Sequence, residues 1–99
     1  RIKAYDRNWG FVTKLPNGAT PVIVGEFGCS TNDKHVEEWL RDLTDYLYLN
    51  KIGSCWWTLE EQIGNSSSYG ILNDKLSEID VFLDWRGKYL EKCWRRAHN

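Results

Sequence analysis

Apolar positions along the chain change their period several times. Ile2, Tyr5, Trp9, Val12 and Leu15 recur at spacings of three and four, so residues 2–15 are predicted as an amphipathic helix. Gly10 sits in its middle and weakens that prediction. The run "LPNGATP" ends it, because Pro16 opposes continuation and Asn17-Gly18 favours a tight turn. From Pro21 the pattern differs. Val22, Ile23 and Val24 are consecutive, β-branched and bounded by Pro and Gly. They predict a short strand over 21–26, covered on both faces as in a parallel sheet.

The polar cluster "CSTND" precedes Val36, Trp39, Leu40, Leu43, Tyr46 and Leu47, which mark one face of a helix ending near Asn50. Asp33 is the predicted N-cap, and Glu37 and Glu38 stand in the first turn, where the macrodipole favours acids. Gly53 is predicted to supply the left-handed stop. Residues 54–58, "SCWWT", predict a second short strand. Residues 59–75 show little periodicity, and loops that long are usually functional or disordered. Ser77-x-x-Asp80 resembles a helix start, and Ile79, Phe82, Leu83, Tyr89, Leu90, Cys93 and Trp94 predict a final helix, interrupted by Gly87. The predicted order is helix–strand–helix–strand–helix. Strands alternating with helices imply parallel βα units, so the fold class is α/β. Two parallel strands need cover on both faces, so these units are expected to be one segment of a larger barrel or sheet.

Composition narrows the partners. A chain of 99 residues with 41% hydrophobic positions suits one small domain or a piece of a larger one. A net charge of −1 and no basic stripe argue against nucleic acid. Nothing approaches the roughly 18 consecutive apolar residues of a membrane span. The chain opens on Arg1 with no Met and no apolar leader, so a start further upstream is expected. Cys29, Cys55 and Cys93 are odd in number and lack C-x-x-C spacing. Buried free thiols are the expectation, a bridge to a cysteine outside the chain the alternative. Neither these nor His35 and His98 have metal-ligand spacing, so no metal and no cofactor are expected.

One acid stands apart. Glu26 ends an apolar run and lies between Gly25 and Phe27-Gly28, company that acids seldom keep. The C-terminal ends of strands form the active-site face of a (β/α)₈ barrel. Glu26 is at that end of the first predicted strand and Trp57 at that end of the second. A carboxylate beside an aromatic wall suits glycoside hydrolysis: the wall stacks on a sugar ring, and the carboxylate attacks or stabilises an oxocarbenium-like centre. Adjacent Trp56 and Trp57 must point to opposite sides of a strand. Trp56 is assigned to the packed side and Trp57 to the cleft; Trp9, Trp39, Trp85 and Trp94, in helical segments, are assigned to the core.

Taken in order, "YDRNWGFV", "PVIVGEFG", "KIGSCWWTLE" and "SSSYGILNDKLSEID" resemble the C-terminal third of glycoside hydrolase family 5. That family comprises endoglucanases and related retaining β-glycanases on a (β/α)₈ barrel. The resemblance covers residues 3–92. It implies a partial (β/α)₈ TIM barrel in which the two strands are strands seven and eight, and residues 1–99 are the C-terminal segment of one catalytic domain. Carried over by position, Glu26 matches the family's catalytic nucleophile. Trp57 matches the aromatic platform at the cleavage point. Leu59 and Glu60 stand where family cellulases often have Trp-Asn, which makes Glu60 a candidate substrate contact that departs from the pattern.

The family's acid/base is a Glu following Asn at the end of strand four, and this chain has no Asn-Glu pair. The implied activity is hydrolysis of polysaccharide β-glycosidic bonds with retention, foremost as an endo-β-1,4-glucanase. This chain would supply the nucleophile half of the site and be inactive by itself. The implied partners are a β-glucan substrate and the remainder of the barrel. The implied location is extracellular, because polymeric glucan cannot enter a cell. The alternative is a non-catalytic carbohydrate-binding or degenerate barrel fragment. A third reading is an unrelated barrel with Glu26 as a metal ligand or structural acid. An Asn-Glu pair at an upstream strand end would favour the enzyme.

Overall fold

The computed structural model describes residues 1–16, 20–59, 69–72, 82 and 84–95. Their elements run α1 (Ile2–Asn8), a 3₁₀ helix (Gly10–Lys14), β1 (Ile23–Phe27), α2 (Val36–Leu49), β2 (Gly53–Trp56) and α3 (Arg86–Arg95). β1 and β2 pair in parallel, with α2 as the crossover between them. This is the predicted alternation of helix and strand.

The first helix is shorter than its periodicity predicts, for a tertiary reason. Trp9 leaves helical geometry (φ −153°, ψ −29°) and the chain continues as the 3₁₀ helix. The Tyr46 hydroxyl of α2 occupies the space that a Cβ on Gly10 would need. That hydroxyl donates to Asp6 Oδ1 at 2.6 Å, and Lys14 Nζ reaches the same oxygen at 2.9 Å. Tyr5 and Trp9 lie 5.2 and 5.4 Å from the Tyr46 ring, centroid to centroid. Breaking the helix at Trp9 brings Asp6, Lys14 and the two rings around one phenol.

This cluster carries a pH signature. The Tyr46 hydrogen bond first, and Lys14 second, hold the Asp6 carboxyl below its ordinary range. Burial first, and Asp6 second, push the Tyr46 phenol from its ordinary 10.0 up to about 12. Asp6's contribution to stability is therefore present above its unfolded pKa and lost as pH falls through its folded one. Tyr46's contribution is complete below 10.0 and lost as pH rises toward about 12. In Tyr46→Phe, the Asp6 carboxyl is expected to titrate higher, measured by carboxyl-carbon NMR. The alkaline decline of stability should also become shallower, by the part that Tyr46 contributes. An unmoved Asp6 titration would contradict this account.

α2 begins at Val36, and Asp33 is not its N-cap. His35 holds that position without a side-chain cap. Asp33 instead closes the turn ahead of the helix, its Oδ1 accepting the His35 N–H at 3.1 Å and its carbonyl the Val36 N–H at 3.3 Å. The stop is also displaced. Lys51, at φ 57°, is the left-handed residue, and Gly53 opens β2. Ile52 N–H donates back to the Leu47 carbonyl at 3.0 Å and Lys51 N–H to that of Tyr48 at 3.3 Å. These are the paired reverse bonds of a Schellman ending, accompanied by the burial of both Ile52 and Leu47.

α3 starts later than its pattern suggests. Phe82 is not helical but forms an isolated antiparallel bridge with Leu72. Ser77–Asp80 and Leu83 lie outside the described residues. α1 and α3 both pack against α2. Leu40, Leu43 and Leu47 of α2 meet Phe27, Ile52, Ile71 and Leu90 in one core. Trp9, Trp39, Trp85 and Trp94 are half-buried against it, and Trp94 Nε1 donates to Ser54 Oγ of β2 at 3.0 Å.

One sheet face takes all this packing. Val24, Ser54 and Trp56 are half-buried, whereas Ile23 and Cys55 are exposed, Ile23 by 69%. Within this chain β1 is covered on one face only: the helices described lie to one side of the sheet. Cys55 departs from the buried-thiol expectation for the same reason, while Cys29 and Cys93 are buried.

Candidate functional site

A change of register places Glu26. Val24 pairs with Ser54 and Phe27 with Trp56, so Gly25 and Glu26 together oppose Cys55. β1 thus carries one extra residue, a β-bulge. Side chains of a regular strand alternate between faces, which would put Glu26 beside Val24 in the core and turn Phe27 outward. The bulge reverses this. Phe27 is buried, and Gly25 and Glu26 are both exposed on the open face. The Glu26 carboxylate has no hydrogen-bond or ion-pair partner among the described residues, which leaves it open to a ligand.

Trp57 follows directly on the end of β2. Trp56 lies half-buried against Phe27, ring centroids 5.3 Å apart at 83°. Trp57, one residue on, is 56% exposed. The Trp57 N–H donates to the Phe27 carbonyl at 2.8 Å, tying it to the residue after Glu26. The Trp57–Thr58 peptide is cis. Gly28 explains how the two segments come so close: a Cβ there would run into the Trp57 carbonyl and the Tyr69 ring. Only glycine fits that approach. Glu60, the other candidate contact, lies outside the described residues.

Cys29 is the nearest alternative nucleophile in sequence. Burial pushes its thiol up to about 11, against the opposing pull of Arg86. A neutral buried thiol is inert, so it does not compete with the carboxylate.

Sequence reading passes over Arg86. It is the first residue of α3, and its side chain is 2% exposed. Nε and Nη2 donate to the two Asp84 carboxylate oxygens at 2.9 and 2.8 Å. Nη1 donates to the Cys29 carbonyl at 2.6 Å, and Nη2 also to that of Gly70 at 2.7 Å. The guanidinium carbon lies 6.0 Å from the Trp56 ring centroid. The signal was present in the spacing: Arg86 shares the helical stripe of Leu90 and Cys93, both buried. A charge on an apolar stripe marks a buried polar group that needs partners.

Comparison with known proteins finds one sequence relative and two solved structures of similar fold. No family model matches the chain. Endoglucanase B of Ruminococcus albus is 41% identical over 56 residues, which is 54% of this chain and 13% of that protein. The catalytic domain of the major endoglucanase of Xanthomonas campestris pv. campestris superposes with a TM-score of 0.67 at 23% identity, over 94% of this chain and 25% of that one. An endocellulase variant of Pyrococcus horikoshii in complex with cellotetraose superposes with a TM-score of 0.64 at 26% identity, over 93% and 24%. The chain therefore spans about a quarter of the solved domains it resembles.

Proposed function

We propose that this chain is the C-terminal part of the catalytic barrel of a cellulase-type glycoside hydrolase of family 5. In this reading β1 and β2 are the seventh and eighth barrel strands, Glu26 is the nucleophile and Trp57 the sugar platform. The open sheet face that carries Ile23 and Cys55 is the barrel interior, covered by the remaining strands. The protein acts outside the cell on a polymeric β-glucan, foremost a β-1,4-glucan.

The observation that carries the reading is the bulge, which leaves Glu26 exposed at the end of β1 instead of in the core, beside the strand end that carries the exposed Trp57. The similarity to endoglucanases on both sequence and fold supports the substrate class.

A Glu26 carboxylate oxygen attacks the anomeric carbon of a sugar held on the Trp57 ring. The bond from that carbon to the leaving oxygen breaks, and an upstream carboxylic acid gives that oxygen its proton. The resulting glycosyl ester is hydrolysed by a water that returns its proton to the same upstream group, and the configuration is retained. The two carboxyl groups of such a pair stand about 5–5.5 Å apart.

The test is covalent trapping of the full-length enzyme with an activated 2-deoxy-2-fluoro-β-cellobioside, followed by digestion and mass spectrometry. A label on Glu26 is expected. A label on another residue, or turnover with no trapped ester, would overturn the proposal.

A further inference from the structure

Arg86 joins the three segments that meet at the candidate site. Its bond to the Cys29 carbonyl holds the chain just after Gly28, and so the strand end that bears Glu26. Its bond to the Gly70 carbonyl holds the returning loop. That loop in turn grips the strand end that bears Trp57: the Tyr69 carbonyl accepts the Trp56 indole N–H at 2.9 Å and the Thr58 N–H at 3.3 Å. Ile71 and Leu72 N–H groups close on the Leu59 carbonyl at 3.3 and 3.1 Å. Asp84 fixes the other end of the clamp, holding the guanidinium with both oxygens and accepting the Arg86 backbone N–H at 3.0 Å.

We infer that Arg86 is a positioning residue that sets the placement of the Glu26 carboxylate relative to the Trp57 platform. The inference rests on the proposed roles of those two residues and extends them to a group that touches neither. Arginine is specified because a planar fork can address a carboxylate and two carbonyls at once; a lysine ammonium is a point donor and cannot span them. A buried ion pair is weak evidence for stability, but the loss of one partner strands the other charge.

The experiment uses Arg86→Lys in the full-length enzyme, which keeps the charge. The burst of leaving group released by the fluoro-cellobioside counts competent sites, so rates are expressed per site and not per milligram. With a soluble cello-oligosaccharide, kcat per site is expected to fall about 10–100-fold with KM changed much less, since small misplacements are costly in the transition state. The penalty should shrink in a Trp57→Ala background, because the clamp then has no platform to place. Unchanged kcat per site, or the same penalty in both backgrounds, would overturn the inference.

Should Arg86→Lys fail to fold, Asp84→Asn loosens the same clamp from its more exposed end and is expected to move kcat per site in the same direction. Failure of the underlying reading looks different: the wild-type enzyme would then lack label on Glu26. Label on Glu26 at equal rates in wild type and Arg86→Lys sinks the positioning role alone.

Discussion

Replacing Glu26 by Gln in the full-length enzyme is expected to lower kcat/KM by about 10⁴–10⁶-fold, the range seen when a nucleophile is removed and only binding and electrostatics remain. The fold should be untouched. Glu26 is exposed and without a partner among the described residues, and substitutions of that kind usually shift stability by no more than about 0.5 kcal/mol. A melting temperature matching wild type, together with lost turnover, is the expected pair of results. Retained turnover would remove Glu26 from the mechanism. A matched loss of fold and activity would make it a structural acid, the reading that its unpartnered carboxylate disfavours.

Gly28→Ala should be damaging for the opposite reason, since nothing chemical is removed. The added methyl meets the Trp57 carbonyl, a main-chain atom that has no rotamer to escape into. The strand ends must separate, straining the 2.8 Å bond between Trp57 N–H and the Phe27 carbonyl. Overpacking of this sort costs about 1–3 kcal/mol. Separation of the two strand ends also moves Trp57, the proposed platform, relative to the Glu26 carboxylate, so kcat per folded molecule is expected to fall by about 10²-fold. Chemical denaturation and site-titrated kinetics measure the two effects separately. Full activity in a stably folded Gly28→Ala protein would show that the close approach is incidental.

What the sequence makes legible is local. The face of α2 can be read from Val36 to Leu47 because one helix repeat suffices to bury it, and the strands announce themselves by β-branched and aromatic runs bounded by Pro and Gly. Parallel pairing follows from the intervening helix. The features that escape are those decided by distant residues. Trp9 ends α1 because Tyr46, far along the chain, lies against Gly10. Lys51 takes the left-handed position that glycine usually fills, so no residue type marks the stop. Glu26 and Trp57 stand out by residue type at strand ends, but the exposure of Glu26 depends on an extra residue that alternation alone does not reveal. Arg86 hides among apolar neighbours, and its partners on Cys29 and Gly70 are backbone carbonyls, which carry no side-chain signature.

The bulge in β1 has a consequence for how the strand finds its place. If β1 slid into the regular ladder, Phe27 would turn to solvent and an unpaired carboxylate would enter the core, a combination that is strongly unfavourable. Glu26 thereby acts as a register lock, and the charge proposed to do the chemistry also proofreads the pairing of the strand that carries it. An apolar residue at this position would remove that check and let two alignments compete. A polar isostere keeps the lock while removing the proposed nucleophile.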